Sequence, residues 1–314
     1  MTNKNKRVIL VTGASRGVGK GIAEGIARNG DTIICAARNQ KKGSTVQQFG
    51  FEIQSSLDET VEKIDAKGAR GVAYSIDLNN PKEILDLSDF IKKEFGQLDL
   101  LIHSACQIHD DLVQPKPYWE KSVDLWSVMD VGLKSNYLLS HALTPLMIAS
   151  KGKLIVQISS HGAMCYMHGP IYGAQKAGID KMAFDMAYDL KPHDICSLSL
   201  WSGIVKDEKT QKVSEMNGEQ YAEFLKGAAS QEYAGLVINE LYDDQKLMTL
   251  SGKTLLAAEV GKQYGVQDID DCTPKSDRET LGGPRVGLTL TNVRCSVRCR
   301  IFVPRCGMES SAHT

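Results

Sequence analysis

Val8-Ile9-Leu10-Val11-Thr12-Gly13-Ala14-Ser15-Arg16-Gly17-Val18-Gly19 is the stretch from which the fold is read. Val8 to Val11 is a short apolar, β-branched run, the signature of a buried strand. A helical pattern follows the glycines through Asn29 and stops at Gly30. Strand, glycine-rich turn and helix make the first half of a mononucleotide-binding unit. The glycines let the backbone approach a pyrophosphate, and the helix N-terminus offers it free N–H groups. Gly13, Ser15, Arg16, Gly17, Val18 and Gly19 are therefore expected to bind a dinucleotide.

The strand expected next, Thr32 to Ala37, ends before Arg38. A site for NAD puts an acidic residue at the end of this strand, to bind the ribose 2′-hydroxyl. Here the position is Ala37. With Arg16 in the glycine loop and Arg38 beside it, two guanidinium groups and no carboxylate favour a 2′-phosphate, hence NADP(H) over NAD(H). Residues 39 to 56 read as a polar loop, and Ser56 as the cap of a helix from Leu57 to Lys67, with Glu59 as capping-box partner. The strand Val72 to Ile76 ends at Asp77, which suits either an adenine contact or a turn cap. Pro81 opens a helix to Phe95, and the strand Leu98 to Ile102 leads into His103-Ser104-Ala105-Cys106.

Beyond an irregular segment, a helix is expected from Asp124 to Ile148, with a kink at Pro145. The apolar run Ile155-Val156-Gln157-Ile158 then ends in Ser159-Ser160. Tyr172-Gly173-Ala174-Gln175-Lys176 follows on a helix that runs to Leu190. Tyr172 and Lys176 are four residues apart, one turn, so they share a face. Free tyrosine has a pKa of about 10, and a lysine ammonium held nearby favours the phenolate. A tyrosine tuned in this way gives a proton to a carbonyl oxygen or takes one from an alcohol. His161 and His168 read as pocket wall or surface, and Met164, Tyr166 and Met167 as pocket lining. A further strand to Trp201, a polar flap to about Gln231, a helix to Asp243 and a last strand near Thr254 complete the alternation. Strands alternating with helices throughout mean one doubly wound parallel sheet, an α/β fold in a single domain.

Composition agrees with an ordinary soluble globular protein: 42% hydrophobic, 24% charged, and a formal net charge of −1 over 314 residues. Without a basic field, nucleic acid and anionic membrane are not expected partners. No apolar run has the length of a membrane span and no signal peptide is visible. Cys35, Cys106, Cys165 and Cys196 are scattered as free thiols would be in a reducing, cytoplasmic setting. The arginine- and cysteine-rich end, with Cys295, Cys299 and Cys306, matches no zinc module well and reads as an extension unrelated to the fold rather than the alternative, a metal or partner site, so no metal is expected.

In their order, the glycine loop, the serine strand and the Tyr-x-x-x-Lys helix resemble the short-chain dehydrogenase/reductase family over residues 7 to about 260. The resemblance implies a Rossmann fold in residues 1–265, with residues 266–314 an extension that is poorly ordered from about 282. It implies hydride transfer between a nicotinamide cofactor and a small-molecule ketone, aldehyde or alcohol. Tyr172 becomes the acid/base, Lys176 the group that binds the nicotinamide ribose and tunes Tyr172, and Ser160 the group that orients the substrate oxygen, with Ser159 as the alternative. Asp77, Leu78, Ser104, Ala105, Gly203 and Val205 join the cofactor set. Residues 124–148 and 172–190 would pack against their copies in a homodimer or homotetramer, which suits an apolar pattern on more than one face of the first. Four features depart from the family: His103-Ser104-Ala105-Cys106 stands in place of Asn-Asn-Ala-Gly, Gly132 in place of a helix asparagine, Ser202-Gly203 in place of Pro-Gly, and Asp207 in place of a threonine. A carboxylate at 207 near cofactor phosphates is unfavourable unless it turns away. These departures keep open a second reading, a catalytically weak nucleotide sensor or scaffold of the same fold.

Overall fold

A computed structural model describes residues 6–217, 225–269 and 271–284. The expected disorder beyond 282 and the cysteines of the C-terminal end lie almost wholly outside these residues. Seven parallel strands form one sheet. They are β1 (Val8–Thr12), β2 (Thr32–Ala37), β5 (Arg70–Ser75), β6 (Leu100–His103), β7 (Leu154–Ser159), β8 (Cys196–Trp201) and β9 (Thr254–Leu256), in the order β5-β2-β1-β6-β7-β8-β9. The order reverses beside β1, between β2 and β6, so the C-terminal ends of these strands open on a crevice there. β1, β6, β7 and β8 are buried on both faces, as a parallel sheet requires.

Helices cover both faces. One core packs α1 (Gly17–Ile26), α2 (Leu57–Ala66), α8 (Tyr233–Asp243) and α9 (Ala257–Tyr264) around Ile9, Val11, Leu100 and Val156. The other packs α3 (Pro81–Glu94) and α5 (Ser135–Ser150) against Leu10, Ile34, Leu101 and Ile155. α1 stops at Ile26, earlier than its pattern suggests, because the buried Arg7 guanidinium takes the Ile26 carbonyl at 3.1 Å. Ser56 accepts from Glu59 N at 3.2 Å, as expected of a cap. The Glu59 carboxylate does not complete the box, because it accepts from Gly43 N instead.

Two regions differ from the sequence reading. Residues 39 to 56 are not a plain polar loop, since β3 (Thr45–Gln48) and β4 (Phe51–Gln54) pair as an antiparallel hairpin. Its two-residue turn, Phe49-Gly50, has positive φ at both positions (53° and 78°), the primed geometry that suits strand twist. The single helix expected over 124–148 is composite. A 3₁₀ turn (Val123–Trp126), the short α4 (Ser127–Met129) and a π-turn (Asp130–Lys134) precede α5. α5 then runs on through Pro145. Among the described residues no helix is long and apolar enough to cross a membrane.

Candidate active site

The glycine turn and the C-terminal ends of β2, β6, β7 and β8 surround a cavity of about 790 Å³. That lies in the upper part of the usual range for ligand sites. Gly13, Ser15, Arg16, Gly17, Val18, Gly19, Arg38, Asp77, Leu78, Ser104, Ala105, Ser160, Tyr172, Lys176, Gly203 and Val205 all line it. The glycine turn is tight against its neighbours. A Cβ on Gly13 would stand 2.8 Å from Ala105 Cα, and one on Gly19 would stand 2.3 Å from Gly13 O.

At one end, Ser160 and Tyr172 meet. Ser160 follows β7 and Tyr172 sits in the first turn of α6 (Pro170–Leu190), and their oxygens are 3.0 Å apart. Ser159, one residue earlier, points away and donates to Lys176 O at 3.2 Å. The Tyr172 ring packs edge-on to His168 at 5.1 Å between centroids, and Gly162 lies so close to the ring that a Cβ there would stand 2.5 Å from Tyr172 Cε1. Lys176 is buried, with its Nζ 5.5 Å from the Tyr172 ring centroid and 3.4 Å from Ile158 O. Burial pushes its pKa down, but Tyr172, Cys106 and Asp180 together outweigh that and leave it above the ordinary lysine value. Asp180, one turn further along α6, is held by Ser199 Oγ at 2.6 Å and by Trp201 Nε1 at 3.1 Å.

At the other end, Arg16 and Arg38 face the cavity. No carboxylate stands at the end of β2. Burial lowers the Arg16 pKa and the Arg38 charge lowers it further. Two guanidinium groups close enough to repel form a cradle that an anion would relieve. The N-terminus of α1, which Arg16 does not cap, brings further N–H donors to this end, although Gly17 N is already taken by a carboxylate. Acidic groups stand opposite. Glu208, at the start of α7 (Glu208–Asn217), accepts from Gly17 N at 3.2 Å. Asp207 caps the same helix, accepting from Thr210 N at 2.7 Å. It remains 3.4 Å from where a Cβ on Gly17 would be, so it does not turn away.

Several residues here were not singled out from sequence. Gln175, inside the Tyr172–Lys176 turn, fills the space left by Gly132: a Cβ at 132 would be 1.5 Å from Gln175 Nε2. That amide donates to Val128 O at 2.8 Å and lies 3.5 Å from Cys106 Sγ. Gln175 therefore ties the Tyr172 helix to the π-turn region and to the loop after β6. Asp77, on which two readings were open, accepts from Asn79 N at 3.0 Å, the turn cap, and lines the cavity as well. Met167 is cavity lining as expected, whereas Tyr166 and Met164 are exposed (83% and 41%) and do not line it. Leu281, from the last described helix α10 (Arg278–Leu281), reaches the cavity wall. It is held in place by a two-bond pairing of Arg278 with Glu259 at 2.7 Å.

Known proteins resemble this chain in sequence and in fold. A family model described as short chain dehydrogenase matches residues 7–218. Dehydrogenase/reductase SDR family member 1 of Homo sapiens is 31% identical over 277 residues, covering 85% of this chain and 84% of that protein. The 3-oxoacyl-(acyl-carrier-protein) reductase FabG of Buchnera aphidicola is 29% identical over 219 residues, covering 69% and 80%. Two solved structures share the fold. One is L-sorbose reductase from Gluconobacter frateurii complexed with NADPH and L-sorbose, with a TM-score of 0.65 at 19% identity and coverage of 80% and 94%. The other is a 3-oxoacyl-(acyl-carrier protein) reductase from Brucella melitensis in complex with NAD, with a TM-score of 0.67 at 20% identity and coverage of 81% and 96%. With the family model matched from the first strand past the Tyr172 helix, this chain belongs to the short-chain dehydrogenase/reductase family of oxidoreductases.

Proposed function

We propose that the protein is an NADP(H)-dependent oxidoreductase that interconverts a ketone or aldehyde and the corresponding alcohol. The observation that carries the reading is the 3.0 Å approach of Ser160 Oγ to Tyr172 OH beside the buried Lys176. When bound, the nicotinamide supplies or receives the hydride. Tyr172 gives a proton to the substrate oxygen or takes it back. Ser160, rather than Ser159, donates a hydrogen bond to that oxygen as charge develops. Lys176 holds positive charge next to Tyr172 and binds the nicotinamide ribose. Ile108, Leu112, Val113, Met167, Ile204 and Leu281 line the cavity, which favours a substrate with an apolar body. A turnover assay with NADPH and a panel of apolar ketones and aldehydes tests the reading. Cofactor binding without oxidation of NADPH by any member would replace it with the nucleotide-sensor reading.

The phosphate preference rests on Arg16 and Arg38. Each charge-assisted contact to a 2′-phosphate contributes roughly 1.5–3 kcal/mol. Arg38→Ala should therefore weaken NADPH binding about tenfold or more and leave NADH nearly unchanged, as read by titration of nucleotide fluorescence. Equal affinities of the unaltered protein for NADPH and NADH would overturn the assignment.

A cytoplasmic setting fits Cys35 and Cys196, which are buried as free thiols. A symmetric homodimer or homotetramer fits the exposed apolar side chains on α5 and α6, where Tyr137 is 56% and Tyr188 60% exposed. Light scattering at micromolar concentration should give a multiple of 34.4 kDa. A monomeric mass would refute the assembly.

A further inference from the structure

The β3–β4 hairpin does more than connect β2 to α2. At its base, Ser55 Oγ lies 3.0 Å from Ser15 Oγ and accepts from Arg16 Nη1 at 3.2 Å, so the hairpin is fixed to the glycine loop. At its tip, Phe49 N donates to Asp110 Oδ1 at 3.0 Å, a residue of the loop that follows β6. Along β4, Glu52 O accepts from Lys212 Nζ of α7 at 2.6 Å. The glycine loop, the loop after β6 and α7 all contribute to the wall of the cavity. A hairpin fixed to all three lies across the crevice, and Gln48, Phe49 and Ile53 line the same cavity.

Two features of the turn point to a ligand. Gln48, the last residue of β3, is only 5% exposed and lines the cavity. A carboxamide held in a cavity wall by its strand is placed to exchange solvent for the polar atoms of a ligand. Phe49 adopts φ +53°, a left-handed conformation that a bulky residue takes only under constraint, and Asn or Gly is the ordinary choice for such a turn. The constraint keeps an aromatic ring in the cavity wall, and strain of this kind concentrates at ligand clamps.

We propose that the β3–β4 hairpin is a clasp over the bound dinucleotide and that Gln48 is a further cofactor-binding residue. The carboxamide donates through nitrogen and accepts through oxygen, so it can serve either phosphate oxygens or ribose hydroxyls. The inference rests on dinucleotide binding in this cavity, but not on the preference for the 2′-phosphate. A clasp bridging the crevice must open before the nucleotide leaves, so it acts on dissociation more than on association.

Stopped-flow displacement of NADPH, and of NADH in parallel, measures this directly. Gln48→Ala and Asp110→Ala should each speed dissociation about fivefold or more, with association changed less than about twofold. Hydrogen exchange should report the same event without any turnover, as slower exchange of the amides of residues 45–54 when NADPH is added. Wild-type dissociation rates in both variants, or no added protection of the hairpin, would overturn the clasp while leaving the proposed reaction standing. Failure to bind either nucleotide would overturn both.

Discussion

Replacing Tyr172 with phenylalanine should lower turnover by 10²–10⁴-fold, the range for a lost acid/base group. That is about 3–5 kcal/mol of transition-state stabilisation, more than any other single change considered for this site. The substitution removes one hydroxyl, the one 3.0 Å from Ser160 Oγ. It leaves the ring, which His168 and Gly162 hold by packing. The helix and the cavity should survive, and NADPH affinity should change little. Lys176→Met should behave differently. The buried ammonium serves both the ribose and Tyr172 in the proposed mechanism, so turnover and cofactor affinity should fall together. Steady-state kinetics combined with nucleotide titration separates the two patterns. If Tyr172→Phe turned over at a near wild-type rate, Tyr172 and Lys176 would be an ordinary helix pair and the proposed mechanism would be wrong.

The second large effect is on stability at acid pH. His103, at the end of β6, is buried, with Nε2 2.8 Å from Ser140 Oγ and Nδ1 without a partner among the described residues. Burial lowers its pKa to about 3. In the unfolded chain the same imidazole titrates at about 6.5. Between those values the unfolded state binds a proton that the folded state refuses, so stability rises with pH in that window. Read downward, His103 costs nothing above about pH 7 and then removes up to about 1.4 kcal/mol per pH unit, or about 2–3 kcal/mol by pH 4.5. Carboxyls that burial raises, such as Asp99 and Asp180, titrate with the opposite sense. The informative quantity is therefore the difference from a His103→Asn variant, which keeps a polar group beside Ser140. Urea unfolding at pH 7.5 and pH 4.5 should show the wild type losing about 2–3 kcal/mol more than the variant. An equal loss in both would mean that His103 takes up its proton in the folded state.

His103 also illustrates where the sequence stops being informative. Its place after an apolar strand was plain, but nothing local showed that the ring would be sealed between β6 and α5. The hairpin was missed for a related reason. Its turn is Phe49-Gly50, without the Asn or Asp that marks a two-residue hairpin, and its strands alternate polar residues against few apolar ones. Only contacts with residues far along the chain, at Asp110 and Lys212, make that conformation worthwhile. The expected single helix over 124–148 was interrupted by the same kind of distant contact. Gln175, more than forty residues later, occupies the space beside Gly132 and takes the Val128 carbonyl.

By itself the sequence determined the parallel α/β sheet, the glycine turn and the sharing of one helical face by Tyr172 and Lys176, after a strand that ends in two serines. Each of these follows from short-range rules: strand and helix periods, capping residues, and the four-residue spacing that puts two side chains on one helical face. Tertiary structure alone decided which serine meets the tyrosine, because a step of one residue at the end of β7 turns one hydroxyl to Tyr172 OH and the other to the Lys176 carbonyl. It also decided that Glu208 would stand on the Gly17 N–H, 191 positions away, and that Leu281 would close the cavity wall from beyond the last strand. Such contacts depend on where the folded chain brings separate elements together, and no local pattern of residue types encodes that.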